Sequence, residues 1–156
     1  MTSRPQRLLI TGSNGSIGTM LRSRLARPGR VLRLLDREPP AAGPADAGTV
    51  EAVHASVTDL AAMTDACDGV DAVVHLGGLS GEAPWPDILH TNVHGSYCVL
   101  EAARRRGVDR VVLASSNHAA GHWTRADAPA EGLPADLPPR PDSYYGWSKA
   151  SVEALG

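Results

Sequence analysis

Short apolar runs alternate with amphipathic stretches along this chain, and that alternation restricts the fold more than any other feature. Arg7-Leu8-Leu9-Ile10-Thr11 reads as a first strand. A glycine-rich turn follows, then a helix over about Ser16 to Arg27, ended by Pro28-Gly29. Arg30 to Leu35 is a second strand, Glu38 to Gly48 a loop rich in Pro, Ala and Gly, and Val50 to His54 a third strand. Thr58-Asp59 opens a short helix to about Ala66, with Thr58 as the expected N-cap. Asp71 to Leu76 is a fourth strand; a long helix over about Trp85 to Arg106 stops at Gly107; Arg110 to Ser115 is a fifth strand. Five prolines between Ala128 and Pro141 predict an irregular loop, and a last helix starts near Ser143. Strands alternate with helices when the strands are parallel and crossover helices cover the sheet. The predicted fold is therefore α/β, a parallel sheet of about five strands with helices on both faces, with residues 1–156 as one domain.

Composition excludes several classes. The formal net charge of −2 argues against a nucleic-acid surface, and the only basic cluster, Arg104-Arg105-Arg106, reads as a solvated helix face. Cys67 and Cys98 lack metal or redox spacing and read as reduced packing residues. Met1 to Gln6 holds no apolar region of signal-peptide length, and no stretch is long and apolar enough for a membrane span. The expectation is a cytoplasmic protein without a membrane or nucleic-acid partner.

Open parallel sheets bind ligands at the carboxyl ends of their strands. Thr11-Gly12-Ser13-Asn14-Gly15-Ser16-Ile17-Gly18 joins the first strand to the first helix there. Glycines spaced three and three let backbone approach a pyrophosphate and let the helix aim its N-terminal N–H groups at the anion. The spacing is G-x-x-G-x-x-G, not the commoner G-x-G-x-x-G. Asp36 ends the second strand, where a carboxylate can accept ribose hydroxyls and repel a 2′-phosphate, which favours NAD; Arg37 keeps NADP open. His75-Leu76-Gly77-Gly78 closes the fourth strand, with His75 read as a hydrogen-bonded strand-end residue.

The chain has a single lysine among its 15 Lys and Arg residues, and it lies four residues after Tyr145. Tyr-x-x-x-Lys puts Tyr145 and Lys149 on one helix face. A compact ammonium favours the ionised form of a nearby phenol. A phenol titrates near ~10, and bringing one to neutral pH takes about 4 kcal/mol of differential stabilisation. Ser115-Ser116-Asn117-His118 follows the fifth strand, so a serine hydroxyl and Tyr145 converge beside the cofactor, a pattern suited to general acid–base chemistry coupled to hydride transfer. Trp123 and Trp147 flank this region and either wall the pocket or pack elsewhere.

Gly12-x-x-Gly15-x-x-Gly18, Asp36, Asn92-Val93-x-Gly95, Ser116 and Tyr145-x-x-x-Lys149 together resemble an extended short-chain dehydrogenase/reductase of the NAD-dependent epimerase/dehydratase group, which implies a Rossmann-type doubly wound parallel sheet with the strand order 3-2-1-4-5. A narrower resemblance, to the uronate dehydrogenases, lies in His75-Leu76-Gly77-Gly78-x-Ser80, Ala114-Ser115-Ser116-Asn117-His118-x-x-Gly121 and Arg140-Pro141-Asp142-x-x-Tyr145-Gly146-x-Ser148-Lys149. The resemblance implies oxidation of galacturonate or glucuronate at C1 to an aldarolactone, with NAD reduced. It implies catalytic roles for Ser116, Tyr145, Lys149 and Asn92. It implies a cofactor site of Gly12, Asn14, Gly15, Ser16, Ile17, Gly18, Asp36, Ser56, Val57, Leu76, Gly77 and Gly78, joined by Asn92, Tyr145 and Lys149. Substrate contacts fall to Ser80, Ser116, Asn117, His118 and Tyr145. Two departures stand out. The family's Asp-x-x-Asp run reads Ser56-Val57-Thr58-Asp59 here, which weakens or replaces an adenine contact. Family members also continue through a sixth strand and a C-terminal substrate-binding part, so the expectation is a truncated chain with an open sheet edge. Homo-oligomerisation is expected through the helix at 85–106 and the final helix. A sugar-nucleotide epimerase or dehydratase, and a non-catalytic dinucleotide-binding module, remain as alternatives.

Overall fold

The computed structural model describes residues 6–39 and 49–156. Residues 1–5 and most of the expected 38–48 loop lie outside the described residues. One parallel sheet is built from β1 (Gln6–Thr11), β2 (Arg30–Asp36), β3 (Thr49–His54), β4 (Ala72–His75) and β5 (Val111–Leu113), in the order β3-β2-β1-β4-β5. That is the expected order. Leu8 pairs with Leu32 on one side and Ala72 on the other, and Ile10 with Leu34 and Val74, so β1 is central.

Successive strand residues face opposite sides of the sheet, and a strand covered on both sides has to be apolar throughout. Leu9, Leu35 and Val73 point into one core with Met63, Cys67, Cys98, Val99 and Ala102. These last residues come from α2 (Leu60–Ala66) and α4 (Gly95–Arg106) and from the residue that ends α2. Leu8, Ile10, Leu32 and Leu34 point the other way, toward Leu25 at the end of α1 (Ser16–Leu25). Cys67 and Cys98 are buried, free thiols, as expected of packing residues.

Several boundaries differ from expectation. The N-cap of α2 is Asp59, not Thr58: the Asp59 carboxylate accepts the N–H groups of Ala61 and Ala62, both at 3.0 Å. A carboxylate at that position satisfies two orphan donors and also complements the helix dipole. Thr58 pairs instead with Ser56, hydroxyl to hydroxyl, at 2.8 Å. The first helix ends at Leu25 rather than Arg27. The expected helix at 85–106 is a composite of α3 (Trp85–Ile88), a π-helical segment (Leu89–His94) and α4. It stops at Gly107, whose φ of 67° is the left-handed conformation that ends helices. The strands β4 and β5 are shorter than expected because pairing between them covers only Val73–His75 and Val111–Leu113.

Arg104 and Arg105 both pair with Glu101 at 2.7 Å, while Arg106 reaches Asp65 and Asp68, so the basic cluster is a solvated, ion-paired face. After β5 a 3-10 turn (Asn117–Ala120) leads through the proline-rich region to α5 (Tyr144–Leu155). Ser143 caps α5, accepting the Gly146 N–H at 3.0 Å. That cap sets the axial position of Tyr145 and Lys149. No helix among the described residues is long and apolar enough to cross a membrane.

Candidate functional site

The carboxyl ends of all five strands open onto one cleft of about 670 Å³. Its glycine-rich wall leaves no room for side chains. Gly12 has a φ of 66°, and a Cβ there would lie 2.7 Å from Gly77 N. A Cβ on Gly18 would lie 2.5 Å from Gly12 O, so the helix packs directly on the turn. The N-cap of α1 is Gly15 and supplies no side-chain cap, which leaves the first N–H groups of the helix to an anionic ligand. Asp36 sits opposite. Its Oδ2 accepts the Asn14 N–H at 2.8 Å and its Oδ1 accepts the Arg37 N–H at 2.8 Å. Both donors orient the carboxylate, and each oxygen keeps a lone pair for a ribose hydroxyl. These residues fit the adenosine and pyrophosphate part of a dinucleotide. Arg37 lines the same cleft.

A closed hydrogen-bond chain holds the β1 and β4 ends together. Gly77 N donates to Thr11 Oγ1 at 3.2 Å, and Thr11 Oγ1 stands 2.7 Å from His75 Nδ1. His75 Nε2 stands 3.1 Å from Ser96 Oγ, and Ser96 donates to the Asn92 carbonyl at 2.6 Å. Because Ser96 spends its proton on Asn92, the hydrogen between Ser96 and His75 is carried by His75 Nε2; in the neutral ring Nδ1 then accepts the Thr11 hydroxyl. His75 is 4% exposed. Burial first, and then the Lys149 charge, push its pKa down to about 4. An unfolded histidine titrates near ~6.5, so below that pH the unfolded chain binds a proton that the folded one refuses. Stability from this group is therefore intact above the unfolded value and falls as pH drops toward the folded one. Carboxylates with depressed values, such as Asp127 and Asp142, act lower in pH. Denaturant melts at pH 7 and pH 5 are expected to differ by about 2 kcal/mol. Equal stability at the two pH values would refute the neutral, buried histidine.

Tyr145 and Lys149 enter the cleft from α5. Tyr145 is buried, and its N–H donates to Glu82 Oε2 at 2.9 Å, across 63 residues of chain. Lys149 Nζ donates to the Ala114 carbonyl at 2.8 Å and stands 5.6 Å from the centre of the Tyr145 ring. Burial disfavours its charge and holds its pKa below the usual lysine range. Ser148 donates to the Tyr145 carbonyl at 2.7 Å and accepts from Asn92 Nδ2 at 3.0 Å. Asn92, in the π-helical segment, also accepts the Leu79 N–H at 2.7 Å. Single turns of π-helix often mark functional sites. This one swings the Asn92 amide onto the loop after β4.

The fold brings together Gly12, Asn14, Gly15, Ser16, Ile17, Gly18, Asp36, Ser56, Val57, Leu76, Gly77, Gly78, Ser80, Tyr145 and Lys149 around the cleft. Asn92 is 2% exposed and braces the cleft wall from behind. Ser116, Asn117 and His118 stand to one side, on the 3-10 turn. Ser116 Oγ accepts the His118 N–H at 3.2 Å, and the His118 ring meets the Tyr145 ring edge-on, 5.7 Å between centres. Ser115 lines the cleft and donates to Glu153. Trp123 stacks under Arg140 at 3.8 Å and Trp147 packs on Trp85, so neither walls this cleft. Sequence reasoning missed the roles of Glu82, Asp142 and the Ala114 carbonyl. Asp142-Ser143 just before an apolar helix is a capping signal that could have marked one of them.

A doubly wound parallel sheet whose first turn is a glycine cradle and whose second strand ends in a carboxylate defines a dinucleotide-binding domain. The model of the NAD dependent epimerase/dehydratase family matches residues 8–156, and the chain belongs to that family. It is 46% identical over 156 residues to a uronate dehydrogenase of Pseudomonas putida, covering 98% of this chain and 55% of that protein. The crystal structure of a mutant uronate dehydrogenase from Agrobacterium tumefaciens complexed with NAD superposes with a TM-score of 0.85 at 40% identity, covering 96% of this chain and 54% of that one. MoeE5 in complex with UDP-glucuronic acid and NAD superposes with a TM-score of 0.79 at 31% identity, covering 96% of this chain and 48% of that one. The chain thus spans about half the length of the relatives it matches.

Proposed function

We propose that this chain carries the cofactor site and the acid–base group for NAD-dependent oxidation of a hexuronic acid, galacturonate or glucuronate, at C1 to an aldarolactone. The convergence of Tyr145 and Lys149 with the glycine cradle in one cleft carries this reading. NAD, when bound, supplies the acceptor for two electrons and the C1 hydrogen. Tyr145 takes the proton of the anomeric hydroxyl, and Lys149 stabilises the phenolate form of Tyr145. Ser116 holds the reacting oxygen; its long bond to Asn117 Oδ1, 3.3 Å, is readily exchanged for one to substrate. Ser80, Asn117 and His118 bind the remaining sugar groups. Asp36 selects NAD over NADP.

NADH formation from galacturonate or glucuronate, measured against UDP-sugars and with NADP in place of NAD, tests this. Uronate turnover with preference for NAD supports the reading. Turnover of UDP-sugars alone favours a sugar-nucleotide enzyme, the reading that the likeness to MoeE5 supports. Cofactor binding without turnover of any sugar makes the chain a binding module and refutes the reading.

Two further elements belong to the same reading. Trp85, Leu89 and Tyr97 on one helical run, and Tyr144, Trp147 and Leu155 on α5, are large exposed hydrophobics that support self-association through these two helices. A monomeric mass in solution would overturn that. The free, buried cysteines support a reducing, cytoplasmic compartment.

A further inference from the structure

Asp142 has no part in the reaction described above, yet it is tied to His118, which has one, and to the residue that caps the helix of Tyr145. Both of its carboxylate oxygens lie 2.9 Å from His118 Nδ1, and its N–H donates to the His118 carbonyl at 3.4 Å. Asp142 Oδ1 also accepts from Ser143 at 2.9 Å, the residue that caps the helix of Tyr145. Two glycines clear the space. A Cβ on Gly121 would collide with the Asp142 carboxylate, and one on Gly146 would collide with the His118 carbonyl. The contact with His118, and then the one with Ser143, hold the Asp142 carboxyl below the usual carboxylate range, so it stays ionised. An ionised carboxylate only accepts, so the His118 Nδ1 beside it carries the proton. The opposite nitrogen, Nε2, has no partner among the described residues, and the His118 side chain is about half exposed at 47%. The same ring stands edge-on to Tyr145.

We propose that Asp142 is a positioning residue that fixes the His118 ring and its tautomer, with Nδ1–H directed at the carboxylate and Nε2 presented as an acceptor for a hydroxyl of the sugar substrate. This rests on the reading of His118 as a substrate contact. A free imidazole can exchange tautomers, and a hydroxyl donated to Nε2 needs the one that Asp142 selects. A carboxylate behind an imidazole holds both its orientation and its tautomer, and an amide in the same place permits the wrong one.

The test is Asp142→Asn, which keeps size and removes the charge. The 15N spectrum of His118 is read in the chain at a pH where its ring is neutral, together with uronate kinetics and NAD affinity. The expected result is a protonated Nδ1 in the parent and a shift of population to protonated Nε2 in the variant. KM for the uronate rises about fivefold or more, the loss of one oriented hydrogen bond, with kcat and NAD affinity little changed. An Nε2-protonated parent, or a variant with unaltered tautomer, overturns the proposal. So does a variant whose NAD affinity falls together with its KM, since that marks a merely structural role. If the parent turns over no uronate, the substrate reading fails, and the tautomer measurement still decides whether Asp142 controls His118.

Discussion

Lys149→Arg is expected to lower uronate turnover by about a hundredfold or more while leaving the fold intact. Lys149 reaches the cleft from α5, buried enough that its charge is disfavoured, with one donor on the Ala114 carbonyl at 2.8 Å. The remaining two donors of the ammonium are free to serve the ribose of a cofactor and the field at Tyr145. Arginine keeps the charge and loses that arrangement. Its guanidinium is a broad planar fork that is too wide to turn on one carbonyl and still stand beside the phenol. The circular-dichroism spectrum and melting curve should match the parent, because the lysine contributes one side-chain bond to a helix already capped by Ser143 and Glu82. Turnover close to the parent's, in a well-folded variant, would remove the argument for the lone lysine.

Gly12→Ala is expected to cost about 2–4 kcal/mol of stability and to abolish NAD binding. A left-handed φ penalises alanine, and the added methyl would lie 2.7 Å from Gly77 N and from the Leu76 carbonyl carbon. Neither neighbour can retreat, because Gly77 N is bonded to Thr11 and Leu76 N to the Thr11 carbonyl. The β1 and β4 ends would have to part, which opens the wall that faces the pyrophosphate. Denaturant melts and NAD titration measure the two effects. A variant that melts like the parent and binds NAD normally would show that the turn is not a cofactor cradle.

Local pattern carried much of this protein. The apolar run Leu8-Leu9-Ile10, in a chain where strands alternate with helices, reads as a covered parallel strand, and a turn of three glycines after it narrows the ligand class. Asp36 and Tyr145-x-x-x-Lys149 were equally legible, because a strand end and an i, i+4 helix pair are short-range facts. The same logic misplaced the N-cap of α2, where Thr58 and Asp59 are both good caps. Only the chain direction out of β3 shows which of them faces the first free N–H groups. The π-helical segment at Leu89–His94 left no mark either, since its apolar spacing is that of an ordinary helix and the partners of its Asn92, Leu79 and Ser148, lie in other segments.

Residues far apart in sequence marked the limit. Glu82 on the Tyr145 N–H, Asp142 behind His118, and Ala114 under Lys149 all depend on where two loops and a strand end finish in space. The sequence by itself determined the alternation of strands and helices and the glycine turn after the first strand, because periodicity and glycine spacing act through the backbone over a few residues. The tertiary structure alone decided how Tyr145, Lys149 and His118 are held. Hydrogen bonds between distant segments form only after the sheet has set their separations, and no short-range pattern encodes those distances.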